Sequence, residues 1–193
     1  MRLLLILLLL PLASAYAQFP PQAGLAGTTA MHKDSAVFVG WGSFCSINRG
    51  WMDIADTTLG KVTSGDSSQA LGYADGNLVS LGDGGEAIYY FENPIIDGPG
   101  FDFAIFENGF PDPADSNMAY LELATVSVSN DGINYYTFHS TCNLDTLNQI
   151  PGFGVYSDAR LLDNIAGKYI NGFGTPFDLY EFAVLSSLDI SNI

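Results

Sequence analysis

Positive charge is the scarcest feature of this sequence. Six Lys and Arg stand against 21 Asp and Glu in 193 residues, with two His, two Cys and two Trp. So acidic a chain repels nucleic acid and anionic membrane, and is compatible with neutral glycans, cations or basic partners. His32 and His139 lie far apart with no acidic pattern beside them, and a His-based triad or a zinc site would need more. Cys45 has no evident catalytic His partner. Beyond the first 17 residues no stretch is long and apolar enough to cross a membrane, which takes roughly 20 residues. No later segment carries a long 3.6-residue apolar period, apart from one turn of helix near 158–166.

The N-terminus reads as an export signal. Met1-Arg2 is a short positive start, residues 3–12 are almost wholly apolar, and Ala13-Ser14-Ala15-Tyr16-Ala17 supplies small residues at the A-x-A spacing of signal peptidase. A membrane anchor would need about twice that apolar length. Cleavage after Ala17 removes one cation, Arg2, and leaves five Lys and Arg against 21 Asp and Glu, a net charge of −16. A secreted or cell-surface location is therefore expected. Residues 18–35, rich in Pro, Gly, Ala and Thr, read as an N-terminal leader segment. Residues 36–193 read as a single domain, with no internal repeat and no linker.

Aromatic residues and Gly are abundant, a profile of strands joined by tight turns rather than of disorder. The ordered part is expected to begin at 36–41, with strands at 77–81, 87–91 (AIYYF), 101–107 (FDFAIFE), 120–129 (YLELATVSVS) and 134–139, and a strand or short helix at 177–185. Asn130-Asp131-Gly132 reads as a hairpin turn, because these residues tolerate positive φ. Residues 49–76 read as a long irregular connection. Asp178 reads as a turn cap, Lys168 as a structural salt-bridge partner, and Gly82 to Gly85 as a turn rather than a phosphate cradle. Many short strands with turn signals between them predict an all-β fold, an antiparallel β-sandwich or jelly roll. The last six residues read as the approach to another strand, so the sandwich is expected to be C-terminally incomplete. Cys45 and Cys142 could form a disulfide in an oxidising compartment, or remain two buried thiols.

Residues 44–50 (FCSINRG), 70–76 (ALGYADG), 79–85 (VSLGDGG), 93–100 (NPIIDGPG) and 102–108 (DFAIFEN) form a recognisable set. Residues 121–124, 128–132, 166–169 and 174–179 continue it. Together they resemble a family of secreted cell-surface proteins of Gram-negative bacteria. The resemblance implies a discoidin-like or galactose-binding-like jelly roll with no known enzymatic activity. It also implies a C-terminal sorting signal in many members and further strands beyond Ile193.

Candidate chemistry centres on carboxylates. Period-two alternation puts Glu107 on the face of Phe103 and Ile105, and Glu122 on the face of Val126 and Val128. Both would lie near the loop that joins their strands. Two buried carboxylates need a shared proton, a cation or hydrogen bonds. Asn108, Asp112, Asp115 and Asn117 in the same loop add oxygens, so Ca2+, which takes six to eight oxygen ligands, is the candidate metal. The alternatives are Glu side chains capping loop amides, or a glycosidase acid and base flanked by sugar-stacking aromatics such as Trp41, Trp51, Tyr135 and Tyr136. The resulting expectation is a non-catalytic binding module for glycan or a surface polymer, with Ca2+ as its candidate support. A purely structural or adhesive surface domain and a glycoside hydrolase are the alternatives.

Overall fold

The computed structural model describes residues 18–145 and 155–193. The signal-peptide reading of residues 1–17 lies outside them. The fold is all-β. Its strands, in chain order, are β1 (Met31–His32), β2 (Phe44–Asn48), β3 (Glu86–Tyr90), β4 (Phe103–Phe106), β5 (Phe110–Pro111) and β6 (Met118–Tyr120). They continue as β7 (Ser127–Val128), β8 (Tyr136–Thr137), β9 (Thr141–Cys142), β10 (Ser157–Asp158), β11 (Leu162–Asp163) and β12 (Phe173–Phe177). Every strand pairing is antiparallel. The sheets are small: β1-β12-β4, β10-β6-β5, β11-β9, β2-β3 and β7-β8. Helical residues among those described occur only as short 3-10 turns.

The β1-β12-β4 sheet is covered on both faces. Alternation sends Phe103, Ile105 and Phe177 to one side. There they join Val126, Val128, Phe138, Leu179, Phe182 and Leu188 in the main core. Phe103 stacks on Phe177 with ring centroids 5.3 Å apart, and Phe138 lies 5.0 Å from Phe177 and 4.6 Å from Phe182. On the other side Phe106 meets Phe38 and Trp41 at 5.5 and 5.4 Å, and Trp41 meets Tyr73 at 5.5 Å. A smaller core gathers Ala119, Leu121, Leu162 and Ile165.

Residues 18–35, expected as a leader segment, are built into the fold. Gln22 is 1 % exposed. Its amide donates to the Lys168 carbonyl at 3.1 Å, and its oxygen accepts from the Ile170 N–H at 3.2 Å. β1 then pairs with β12 (Met31↔Gly174, His32↔Phe173). A buried amide with both ends hydrogen-bonded anchors a segment that carries no hydrophobic period.

Residues 77–81 form no strand. The irregular connection is held instead by Arg49, whose guanidinium donates to the carbonyls of Ser64 (2.6 Å), Ser80 (2.7 Å) and Gly65. The expected hairpin is present: Ser127 faces Thr137 and Val128 faces Tyr136. Its turn is tied by Asp131, which accepts the N–H groups of Ile133 and Asn134 at 2.8 and 2.7 Å. These bonds, those from Asn134 foremost, hold the Asp131 carboxyl well below the usual carboxylate range. Asp178 caps the 3-10 turn Leu179–Phe182 by accepting the Tyr180 N–H at 2.9 Å. The chain end packs too, with Ile95 and Ile193 exchanging backbone hydrogen bonds of 2.9 and 3.0 Å.

The long strand expected over 120–129 is broken. β6 ends at Tyr120, Ala124 bridges to Ala166, and β7 starts at Ser127. Leu121 packs in the smaller core and Val126 in the main one. Those two inward residues are five apart, an odd spacing that reverses the alternation between them.

Candidate functional site

The phase reversal decides where the two glutamates go. Glu107 follows β4 with the parity of Ile105 and is half-buried, as alternation requires. Glu122 lies before the reversal and is exposed. It does not share the inward face of Val126 and Val128, which corrects that expectation. The two carboxylates still sense each other. Burial, then the charge of Glu122, pushes the Glu107 carboxyl up to about 7, against the pull of the Asn108 and Gly109 N–H groups. With its amide nitrogen turned inward, Asn108 donates to both Glu107 oxygens, at 2.9 and 3.2 Å. Tyr120 stands in the same group. Its hydroxyl is pushed up by burial and then by both glutamates.

The loop acids serve their own backbone. Asp112 accepts the Ala114 N–H at 2.8 Å. Asp115 accepts the Asn117 N–H at 2.9 Å and the Asn117 amide at 2.8 Å. These turns close the β5–β6 hairpin. The expected ligand set Glu107, Asn108, Asp112, Asp115, Asn117 and Glu122 is therefore only partly drawn together, as Glu107, Asn108 and Glu122.

A different trio converges. Asp97, Asp102 and Asp178 bring one carboxylate oxygen each within 4.8 Å of one another, the one such acidic group among the described residues. Asp102 precedes β4, Asp178 follows β12, and the register Phe177↔Phe103 sets them side by side. Asp102 accepts the N–H of Gly98 at 2.8 Å and of Leu179 at 2.7 Å. Burial raises its pKa; those two N–H groups pull the other way, and Asp97 and Asp178 add to the rise. Oδ1 of Asp97 is fully buried and receives no hydrogen bond. Hard, close-set oxygens of this kind could hold a divalent cation such as Ca2+. Asp178 was legible only as a turn cap. Asp97 and Asp102 fall 5 residues apart in a Gly- and Pro-rich stretch whose folding back no periodicity announces.

Cys45 and Cys142 are both free thiols, Cys45 buried and Cys142 exposed. Cys45 lies in β2 opposite Tyr89, whereas Cys142 lies in β9 opposite Leu162, in a separate sheet. Burial pushes the Cys45 thiol up. The disulfide alternative is thereby corrected. Lys168, expected in a salt bridge, donates instead to the Leu162 carbonyl at 2.8 Å.

The solvent face of the β2–β3 pair is aromatic. Phe44 faces Tyr90 in register, with rings 5.6 Å apart, and both are largely exposed (59 % and 48 %). The next pairs along that face are Ser46 with Ile88 and Asn48 with Glu86. Tyr135, 43 % exposed, stands close by. Its hydroxyl pKa is raised by burial first and then by Tyr90 and Glu86. Of the four aromatics singled out from the sequence, Tyr135 is the one whose hydroxyl senses Tyr90 and Glu86 of this face. Trp41 is taken up by the Phe106 cluster, Trp51 lies under the Lys61 ammonium at 5.6 Å, and Tyr136 packs on the main core.

No protein-family model, no curated protein and no solved structure matches this chain.

Proposed function

We propose that this chain is an exported, non-catalytic binding module that takes a glycan or other polyhydroxylated surface polymer on the β2–β3 face. Calcium supports the fold at Asp97, Asp102 and Asp178. The observation that carries the reading is the exposed ring pair Phe44 and Tyr90, with Tyr135 beside it. Rings left in water hold apolar surface that a partner can cover with a gain in free energy, and an exposed aromatic patch rimmed by polar groups is a common mark of a binding surface. Ser46, Asn48 and Glu86 supply hydrogen-bonding groups along the same face. The acidic surface disfavours anionic polymers and leaves neutral ones. The sequence resemblance to secreted cell-surface proteins agrees with this reading.

Affinity electrophoresis against a panel of neutral and charged polysaccharides tests it. Retardation by at least one neutral polymer is expected, weakened about tenfold or more in Tyr90→Ala and in Phe44→Ala. Both variants should keep wild-type thermal stability, because these rings lie outside the two cores. No retardation by any polymer would leave the structural or adhesive reading in its place. A hydrolase is the second reading. It is favoured by a Glu107 carboxyl that keeps its proton to near neutrality beside a second carboxylate, the pattern of an acid–base pair. Polysaccharide cleavage that vanishes in Glu107→Gln would replace the binding reading.

A further inference from the structure

A cavity of about 460 Å³ opens beside the edge of β12. β1 pairs with β12 only at Phe173 and Gly174, so its cover stops before Thr175 and Pro176. Extending that register places Thr29 across from Pro176, and both line the cavity. Pro176 has no N–H to offer a neighbouring strand, which suits an edge that a ligand or solvent faces. Pro20, from the anchored N-terminal segment, and Phe101, 50 % exposed, add apolar walls.

The cavity lining is polar in an unusual way. Lys168 and Thr175 line it, yet they are only 2 % and 3 % exposed. The Thr175 hydroxyl is fully buried and has no hydrogen-bond partner. The Lys168 ammonium has three N–H groups. One is spent on the Leu162 carbonyl, and the group also lies over the Tyr169 ring at 5.5 Å. Burial pushes this ammonium down to about 8, with Asp163 opposing the shift. Asp163 and Asp178 line the same space. Buried polar groups are ordinarily paired, so an unpaired hydroxyl beside an under-used ammonium, both lining one cavity, points to a missing partner.

Charge selects the kind of partner. An anion would meet Asp163, Asp178 and Glu181. A cation would meet Lys168. A neutral molecule that both donates and accepts hydrogen bonds satisfies all of them, and the apolar walls suit a ring face. The geometry points to this cavity as a binding site for a neutral polyhydroxylated ligand of one or two sugar units, held by Lys168, Thr175 and Asp163. The inference rests on the glycan-binding reading above and adds to it a second, end-on or free-sugar site distinct from the aromatic face.

The test uses free neutral mono- and disaccharides as probes, with glucuronate and glucosamine as charged arms. Binding is read by saturation-transfer NMR and calorimetry on the whole mature chain. At least one neutral sugar should bind, with both charged arms at least tenfold weaker. Thr175→Val, which removes the hydroxyl and keeps the shape, should weaken binding about tenfold or more. Lys168→Met should do the same, and Tyr90→Ala should leave it unchanged. Glycans that bind only through internal units would show polymer binding with no free-sugar binding. That result would overturn the cavity inference and leave the aromatic face standing. Free-sugar binding that persists in a folded Thr175→Val and a folded Lys168→Met would overturn it as well. Free-sugar binding lost in both, with no polymer retarded by the β2–β3 face, would sustain the cavity and remove the face.

Discussion

At the scale of single residues, the carboxyl of Glu107 carries the clearest energetic signature. Its folded pKa, about 7, lies above the ordinary 4.5. The folded chain therefore holds this proton more tightly than the unfolded chain does. Its contribution to stability is full below pH about 4.5 and is lost as the pH rises through about 7. Glu107→Gln keeps the neutral, hydrogen-bonding shape and removes the titration. Urea unfolding should find the variant equal to wild type near pH 4.5 and more stable at pH 8, by on the order of 2–3 kcal/mol. An equal difference at both pH values would show that the carboxyl is not held in a charge-hostile place. The inward turn of Glu107 was legible in the sequence, because FDFAIFE alternates without interruption. The exposure of Glu122 was not, since the reversal depends on which of two cores each apolar residue joins.

At the scale of elements, that reversal has a structural hinge. Gly167 sits at φ +80°, and a Cβ there would stand 1.9 Å from the Glu122 carbonyl oxygen. Only Gly lets the chain before Tyr169 pass so close to the chain after Tyr120, which is what the Ala124↔Ala166 bridge requires. Gly167→Ala meets both a strained φ and a backbone clash, so it should cost well above the roughly 1 kcal/mol of an ordinary Gly→Ala strain. Thermal melts of this variant beside Gly132→Ala would check it: Gly132, also at positive φ, has nothing within 4 Å of its would-be Cβ. Comparable losses at both sites would remove the clash from the account. The 127–137 hairpin, its Asn-Asp-Gly turn and the 101–107 strand were readable because local chemistry specifies them. β2, β5, β9, β10, β11 and β12 were not, because each is two to five residues long and is defined by a distant partner rather than by its own pattern; the strand or helix expected at 177–185 is the 3-10 turn Leu179–Phe182 that follows β12. The N-terminal segment escaped notice for the same reason: one buried glutamine and a two-residue strand hold it.

At the scale of the whole molecule, the five cations left after residue 17 are already committed. Arg160 grips Asp158, with a closest contact of 2.6 Å. Arg49 is spent on carbonyls of the irregular connection. Lys33 donates to the Ala74 carbonyl at 3.0 Å and lies over Tyr73, Lys61 lies over Trp51, and Lys168 serves the Leu162 carbonyl. These cations organise backbone and rings, so most of the 21 carboxylates must be screened by the solution rather than by the protein. A folded chain of net charge −15 repels itself, and mobile ions relieve that repulsion. Raising sodium chloride from about 10 mM to 150 mM shortens the screening length from roughly 30 to 8 Å and should raise the melting temperature by several degrees. Calcium at matched ionic strength separates general screening from a bound ion, since a site adds stability that grows with the logarithm of calcium concentration above its Kd. Wild type should gain this further increment. A double variant Asp97→Asn, Asp102→Asn should lose it and keep the sodium response. Identical calcium and sodium curves in wild type would assign the whole effect to screening and remove calcium from the Asp97, Asp102 and Asp178 cluster.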